Sequence, residues 1–151
     1  MHASPVHDRQ GNSQLTGTSP QKSIALSKTQ LQELEQIARA SMPNESCAFL
    51  LGSGQDRVAI AEILPVRDAH ATYASFEISP DELLKAYDYA ERKNLQVAGI
   101  FHSHPSPPSP SRTDARFMEI NPVVWVIYST TEGRFAAWIF EENIRQVSII
   151  V

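Results

Sequence analysis

The sequence predicts one α/β sandwich domain in which helices flank a mixed central β-sheet. Two segments have the apolar spacing of amphipathic helices, and a continuous apolar run resembles a central strand. The C-terminal half is rich in short apolar runs separated by turns. Elements of both kinds are typical of helices packed on a sheet. The 151 residues, 42% of them hydrophobic, suffice for one core.

Residues 1–22 are predicted to form a disordered tail, and residues 23–151 the folded domain. The tail is rich in Ser, Gly, Gln, Asn and Thr and has almost no apolar clustering. It therefore lacks the apolar segment of a signal peptide, and no stretch of the chain approaches the length of a membrane span.

The first predicted helix spans residues 28–41. Ser27 and Gln30 have the spacing of a capping box, and Pro43 marks the end of the helix. Apolar residues recur on one face of this segment, namely Leu31, Leu34, Ile37 and Ala38.

Two buried strands are predicted next, at 47–51 and 58–64. The tripeptide from Gly52 to Gly54 is predicted to turn the chain between them, and Pro65 to end the second strand and open a loop. A short strand is predicted at 75–78.

The second predicted helix begins after Ser79, which suits an N-cap. Pro80 fits the first helical position, Glu82 completes a capping box and Asn94 stops the helix. Its predicted buried face consists of Leu83, Leu84, Tyr87 and Ala90.

The remaining chain is predicted to be mostly strands. Residues 97–101 form the central strand, a Pro- and Ser-rich loop follows, and residues 112–119 form a short helix. Turns at Glu132-Gly133 and Glu142-Asn143 separate three further strands, at 123–128, 135–139 and 147–151.

The composition excludes several classes of function. The net charge is −4 and the basic residues are scattered, which argues against a nucleic-acid binder. The single cysteine, Cys47, excludes an intramolecular disulfide and a CxxC metal site, and favours a cytoplasmic protein in which it is a small core residue.

The segment from Ile100 to Asp114, IFHSHPSPPSPSRTD, indicates a metal site. His102 and His104 are two residues apart at the end of the apolar strand, so both imidazoles project from one face. Asp114 follows at the start of the short helix and offers a carboxylate. Three such ligands leave the fourth position of a tetrahedral zinc ion open, as catalytic zinc sites require.

Simpler interpretations of the same residues exist. A pair of histidines two residues apart also arises by chance. Ser111 and Asp114 fit a capping box for the helix that follows, which does not exclude a catalytic role. Glu45, taken alone, is most simply a solvated loop residue.

Together these residues resemble the JAMM (MPN+) metalloprotease motif. Glu45 precedes an apolar strand ending in Gly52, His102-Ser-His104-Pro comes much later, and Ser111-x-x-Asp114 follows. The resemblance covers most of residues 23–151, because the order of the predicted elements also fits. It implies an MPN-type fold, similar to that of cytidine deaminases, and a catalytic domain over 23–151.

The resemblance also implies a role for each residue. His102, His104 and Asp114 hold one zinc ion per chain, Glu45 positions and deprotonates the attacking water, and Ser111 hydrogen-bonds the oxyanion. Six residues separate His104 from Ser111, where the family usually has seven, and Ser109 is a second candidate for the oxyanion hydroxyl.

The function implied is that of a metallo-isopeptidase that removes ubiquitin or a ubiquitin-like modifier after its C-terminal Gly-Gly. An alternative with the same chemistry is a peptidase that releases an amino acid from the C-terminus of a sulfur-carrier protein. A third alternative is a non-catalytic MPN scaffold, which is disfavoured because every motif position is filled. The expected partner is a ubiquitin-like or sulfur-carrier protein, and the sequence does not predict the oligomeric state.

Overall fold

A computed structural model of the protein describes residues 22–67 and 77–151. Its elements are β1 Ser23–Ala25, α1 Lys28–Ser41, β2 Ser46–Ser53, β3 Arg57–Val66, α2 Pro80–Arg92, β4 Gln96–His104, α3 Arg112–Ile120, β5 Val124–Ser129, β6 Arg134–Glu141 and β7 Asn143–Ile150. The predicted tail therefore lies almost entirely outside the described residues.

The strands form one mixed sheet, as predicted. Its order is β1, β3, β2, β4, β5, β6, β7, and it closes into a barrel because β1 pairs with both β3 and β7. β1 is parallel to both neighbours and β4 is parallel to β5, whereas the other pairs are antiparallel. The sequence did not predict β1, because three residues are too few to show strand alternation.

Helices cover both faces of the sheet, which confirms the predicted sandwich. On one face, α1 packs through Leu34 and Ala38. On the other face, α2 and α3 pack through Ala86, Ala90 and Met118. None of the described helices is long and apolar enough to cross a membrane.

The first helix has the predicted bounds and the predicted cap. The N–H of Gln30 donates to Oγ of Ser27 at 3.0 Å, and the N–H of Ser27 donates to Oε1 of Gln30 at 2.9 Å. These two bonds satisfy donors that a helix start otherwise leaves free.

Two boundaries near the first strands differ from the prediction. β2 continues through Gly52 to Ser53, and the left-handed φ of 110° belongs to Gly54. β3 continues through Pro65, which pairs with Ala48. Proline is tolerated there because β1 pairs only with the first three residues of β3, so the other side of Pro65 is a free edge in the described structure.

Half of the predicted buried face of α2 was wrong. Leu84 and Tyr87 are 62% and 47% exposed, whereas Ala90 is buried and Leu83 packs against the core, as predicted. The helix also packs through Ala86, which was not predicted. Small residues one turn apart let the helix approach the sheet closely, which the apolar pattern alone does not indicate.

The ends of α2 were predicted more accurately. Ser79 caps the helix by accepting from the N–H of Glu82, and Asn94 adopts a left-handed φ of 55° just after its end. The reciprocal half of the predicted capping box is not formed. Of the predicted strand at 75–78, residues 77–78 are not in a strand and the rest lie outside the described residues.

Candidate metal centre

Two histidines lie at the carboxyl end of β4, which has a hydrogen-bonded neighbour on each side. His102 and His104 alternate with Ser103, so both project from the same face as Ile100, the face that α2 and α3 cover. Both are buried, with 4% and 2% of their surface exposed. The predicted pairing of the imidazoles is therefore present.

Glu45 reaches the same place from the neighbouring strand. Because β2 is antiparallel to β4, the start of β2 lies beside the end of β4, and Cys47 is opposite His102. Glu45 directly precedes β2, and its Oε2 lies 3.3 Å from Nε2 of His102. With 9% of its surface exposed, Glu45 is not a solvated loop residue.

Asp114 completes the cluster from the first turn of α3. Its Oδ1 lies 3.3 Å from Nε2 of His102, and its Oδ2 lies 3.5 Å from Nε2 of His104. Oδ2 also accepts from the N–H of Ser111 at 2.9 Å, and this bond holds the carboxylate toward the histidines. The short helix thus places its first carboxylate over the end of β4.

The outer nitrogens of both histidines are occupied. Nδ1 of His102 lies 3.0 Å from the carbonyl oxygen of Ser46, which can only accept, so this nitrogen carries the proton. Nδ1 of His104 lies 2.8 Å from Oγ and 3.2 Å from the carbonyl oxygen of Ser106. Partners of this kind fix ring orientation and leave Nε2 as the free ligand atom.

The two Nε2 atoms are buried and have no hydrogen-bond partner. Buried polar atoms in native proteins are nearly always paired, so two adjacent exceptions call for an explanation. These atoms and a carboxylate oxygen of Asp114 lie within 4.8 Å of one another and could hold a metal ion. Two imidazoles and one carboxylate are a ligand set of catalytic zinc sites, so the residues present fit zinc.

The charges of the cluster are strongly coupled. Burial, with the nearby charge of Asp114, raises the pKa of Glu45 to about 7. Burial lowers the pKa of His102. His104 is buried as well, but the negative charge of Asp114, whose Oδ2 lies 3.5 Å from its Nε2, raises its pKa. For Asp114, the contacts with both histidines outweigh burial and lower the pKa, so the carboxylate is ionised.

Ser111 is the N-cap of α3, and the capping interpretation of the SxxD motif is confirmed. Its Oγ accepts from the N–H of Asp114 at 3.0 Å, and the reciprocal bond to the Asp114 carboxylate is also formed. A hydroxyl that accepts one bond keeps its own proton for donation. Ser111 is exposed and so is Ser109, the second candidate, whose N–H donates to Pro107.

The short loop between His104 and Ser111 is anchored from the sheet. The indole N–H of Trp138, on β6, donates to the carbonyl oxygen of Pro108 at 2.8 Å, and Pro108 is buried. This contact ties the proline-rich loop to the face of the sheet on which the histidines lie.

The residues that hold the outer nitrogens of the histidines were not predicted from the sequence. Ser46 acts through its backbone carbonyl, which any residue type supplies, so its identity carries no signal. Ser106 is two residues from His104, and this proximity was the only available indication. Cys47 was assigned correctly to the core, since it is buried and burial raises the pKa of its thiol.

Comparisons with known proteins agree with this geometry. A desampylase of Pyrococcus furiosus is 41% identical over 110 residues, which make up 71% of this chain and 76% of the relative. The solution structure of a Desulfitobacterium hafniense protein is similar with a TM-score of 0.74 and 26% identity, over 84% of this chain and 91% of that chain.

A JAB1/MPN domain protein from Archaeoglobus fulgidus shares the fold, with a TM-score of 0.53 and 19% identity over 85% of this chain and 99% of that chain. Residues 27–140 match the family of prokaryotic homologues of the JAB domain. Because these residues make up most of the chain, the protein belongs to the family of prokaryotic JAB-domain homologues, as the resemblance to the JAMM motif implied.

Proposed function

We propose that this protein is a zinc-dependent isopeptidase that removes ubiquitin or a ubiquitin-like modifier by hydrolysing the bond after its C-terminal Gly-Gly. The observation that carries the proposal is the pair of buried, partnerless Nε2 atoms facing Asp114, with the carboxylate of Glu45 3.3 Å from one of them. The similarity to a desampylase supports this class of reaction.

Within this proposal, His102, His104 and Asp114 hold one zinc ion, in a catalytic domain over 23–151. Zinc, when bound, acts as a Lewis acid and lowers the pKa of a water molecule to about 7. The chain's own residues orient the ligands. Nδ1–H of His102 is held by Ser46, Asp114 is held by Ser111, and the side chains of Glu45, His102, His104 and Asp114 are buried. The single free thiol suits the cytoplasm, where we place the enzyme.

Glu45 is proposed to move the proton. It takes a proton from the attacking water and delivers it to the leaving amine of the lysine. A pKa of about 7 suits a group that must both accept and donate near neutral pH. A cation beside it favours the carboxylate and lowers this pKa, which prepares Glu45 to act first as a base.

Ser111 is proposed to donate its free hydroxyl proton to the developing oxyanion. Ser111→Ala is expected to retain zinc but to lose about 2.7–4 kcal/mol of transition-state stabilisation, measured from kcat/KM. Loss of a cap alone lowers the free energy of unfolding by about 0.5–2 kcal/mol and leaves kcat unchanged.

Ser27→Ala is the matched control, because Ser27 forms the same two-bond cap on α1, on the opposite face of the sheet. If the two variants lose equal stability and Ser111→Ala keeps full activity, Ser111 has only a structural role.

The modifier's tail is proposed to bind in an extended conformation beside the segment 65–78. The register places Val66 opposite Cys47 and Cys47 opposite His102, so the end of β3 lies about 10 Å from the histidine. Residues 68–76 of this segment lie outside the described residues. Adding a strand to a sheet edge is a common way to hold an extended peptide, with the smallest residues at the narrowest point.

The test uses ubiquitin-like proteins joined through Gly-Gly to a lysine side chain, and variants in which either glycine is replaced by valine. Cleavage, followed by mass spectrometry, is expected for the Gly-Gly conjugate and lost for both valine variants. Equal cleavage of the valine conjugates, or of unstructured peptides that lack Gly-Gly, would contradict the proposed specificity.

A further inference from the structure

Ser46 and Ser103 form a buried hydroxyl pair behind the proposed catalytic residues. We propose that this pair is a positioning device that fixes Glu45 and His102 relative to each other, an inference that rests on the proposed function. Both serines are buried, with 3% and 0% of their surface exposed, so their polar groups have little access to water.

The contacts connect the pair to both site residues. Ser46 and Ser103 are opposite each other on β2 and β4. Oγ of Ser103 accepts from the backbone N–H of Ser46 at 3.2 Å, and the two hydroxyls are hydrogen-bonded to each other. The carbonyl of the same Ser46 accepts from Nδ1–H of His102 at 3.0 Å. The backbone N–H of Ser46 is thus bound by Ser103 of β4, and the backbone carbonyl of Ser46 binds His102 of the same strand.

Glu45 is connected to the pair by a peptide bond. The N–H of Ser46 and the carbonyl of Glu45 belong to one planar peptide unit, so a bond to that N–H fixes the plane from which the Glu45 backbone departs. Glu45 precedes the first residue of β2 and is itself outside the strand. The hydroxyl of Ser103 therefore holds the point at which the chain leaves the sheet.

The pair lies on the opposite face of the sheet from the histidines. Ser103 alternates with His102 and His104, and its register partner Ser46 shares its face. Neither hydroxyl is therefore placed to touch a metal ion or a substrate, and any effect of the pair must pass through the backbone of Ser46. This is the basis for calling the two serines positioning residues.

The experiment compares Ser103→Ala with Ser103→Thr, which keeps the hydroxyl. Partners behind metal ligands typically affect metal affinity or activity by about 10–100-fold. We expect Ser103→Ala to weaken the zinc Kd, measured by competition with a chromophoric chelator, by about 10-fold or more and to lower kcat while KM is unchanged. Ser103→Thr should restore both quantities to within a few-fold of wild type.

Ile24→Val is the control for lost stability, because Ile24 is a buried residue of β1 that pairs with the far end of β3. It should lower the melting temperature without changing zinc affinity. If Ser103→Ala does not fold, Ser46→Ala decides, since it removes the bond that orients the Ser103 hydroxyl and so weakens that hydroxyl's bond to the backbone N–H of residue 46. A smaller change in zinc Kd and kcat of the same kind is then expected.

The positioning role would be overturned if a folded Ser103→Ala had the zinc affinity and kcat of the wild type. If Ser103→Ala does not fold, the same result in Ser46→Ala would overturn it. Neither result would overturn the proposed function. Failure of the wild-type protein to cleave any Gly-Gly conjugate would instead overturn the proposed function, and the zinc competition would still test the pair.

Discussion

His104→Ala is expected to lose most of its zinc and all hydrolytic activity. His104 supplies one of the three atoms that face each other at the end of β4. Its removal leaves two ligands, whereas catalytic zinc sites use three protein ligands.

Ile100→Val is the matched control for this variant. Ile100 is buried on the same strand and the same face. The change removes one methylene group but no metal ligand, and lowers the free energy of unfolding by about 0.5–1.5 kcal/mol. Elemental analysis of both purified variants gives the zinc content. One zinc per chain in Ile100→Val and almost none in His104→Ala is the expected result; full occupancy in His104→Ala would refute the ligand assignment.

Glu45→Gln is expected to fold, retain zinc and bind substrate, yet to cleave about 10²–10⁴-fold more slowly. Glutamine has the size of glutamate and its hydrogen-bonding capacity, but it cannot take up a proton. The acidic limb of the pH profile, set by ionisation of Glu45, should disappear, since a base acts only above its own pKa. Measurements of kcat across pH, with zinc content determined for the same preparations, test these expectations.

Glu35→Gln provides the control. Glu35 is a half-buried carboxylate on α1 that is hydrogen-bonded to Arg39 and Tyr128. These bonds hold its pKa below the usual value, whereas burial raises the pKa of Glu45. Glu35 lies on the other face of the sheet, so its replacement by glutamine should leave kcat unchanged. Cleavage by Glu45→Gln within a few-fold of wild type would mean that another group carries the proton.

The fold was predictable where local patterns decide it. The capping box at Ser27, the apolar run of β4 and the left-handed residue at Asn94 each depend on residues close in sequence. Closure of the sheet by β1 depends on two distant strands, and three residues carry no periodicity. The exposed face of α2 was missed because packing of Ala86 and Ala90, not the number of apolar residues, sets the rotation of the helix.

The residues of the candidate site could be predicted, but the hydrogen bonds that hold them in place could not. His102, His104, Asp114 and Glu45 come together as the motif implied. The spacing of the two histidines on one strand predicted that they lie together, whereas only the resemblance to the JAMM motif placed Glu45 in the same site. The contacts of Ser46, Ser103 and Ser106 were not predictable, because hydrogen bonds to backbone atoms leave no pattern of residue types.

The central claim is that this chain hydrolyses an isopeptide bond with zinc held at the end of β4. The most direct measurement follows cleavage of a ubiquitin-like protein linked through Gly-Gly to a lysine, using protein stripped with a chelator and then given one equivalent of zinc. We expect no cleavage by the stripped protein and, once zinc is restored, release of a modifier ending in a free glycine carboxylate and of an unmodified lysine. Undiminished cleavage by the stripped protein, or none by the zinc-loaded protein, would contradict the claim.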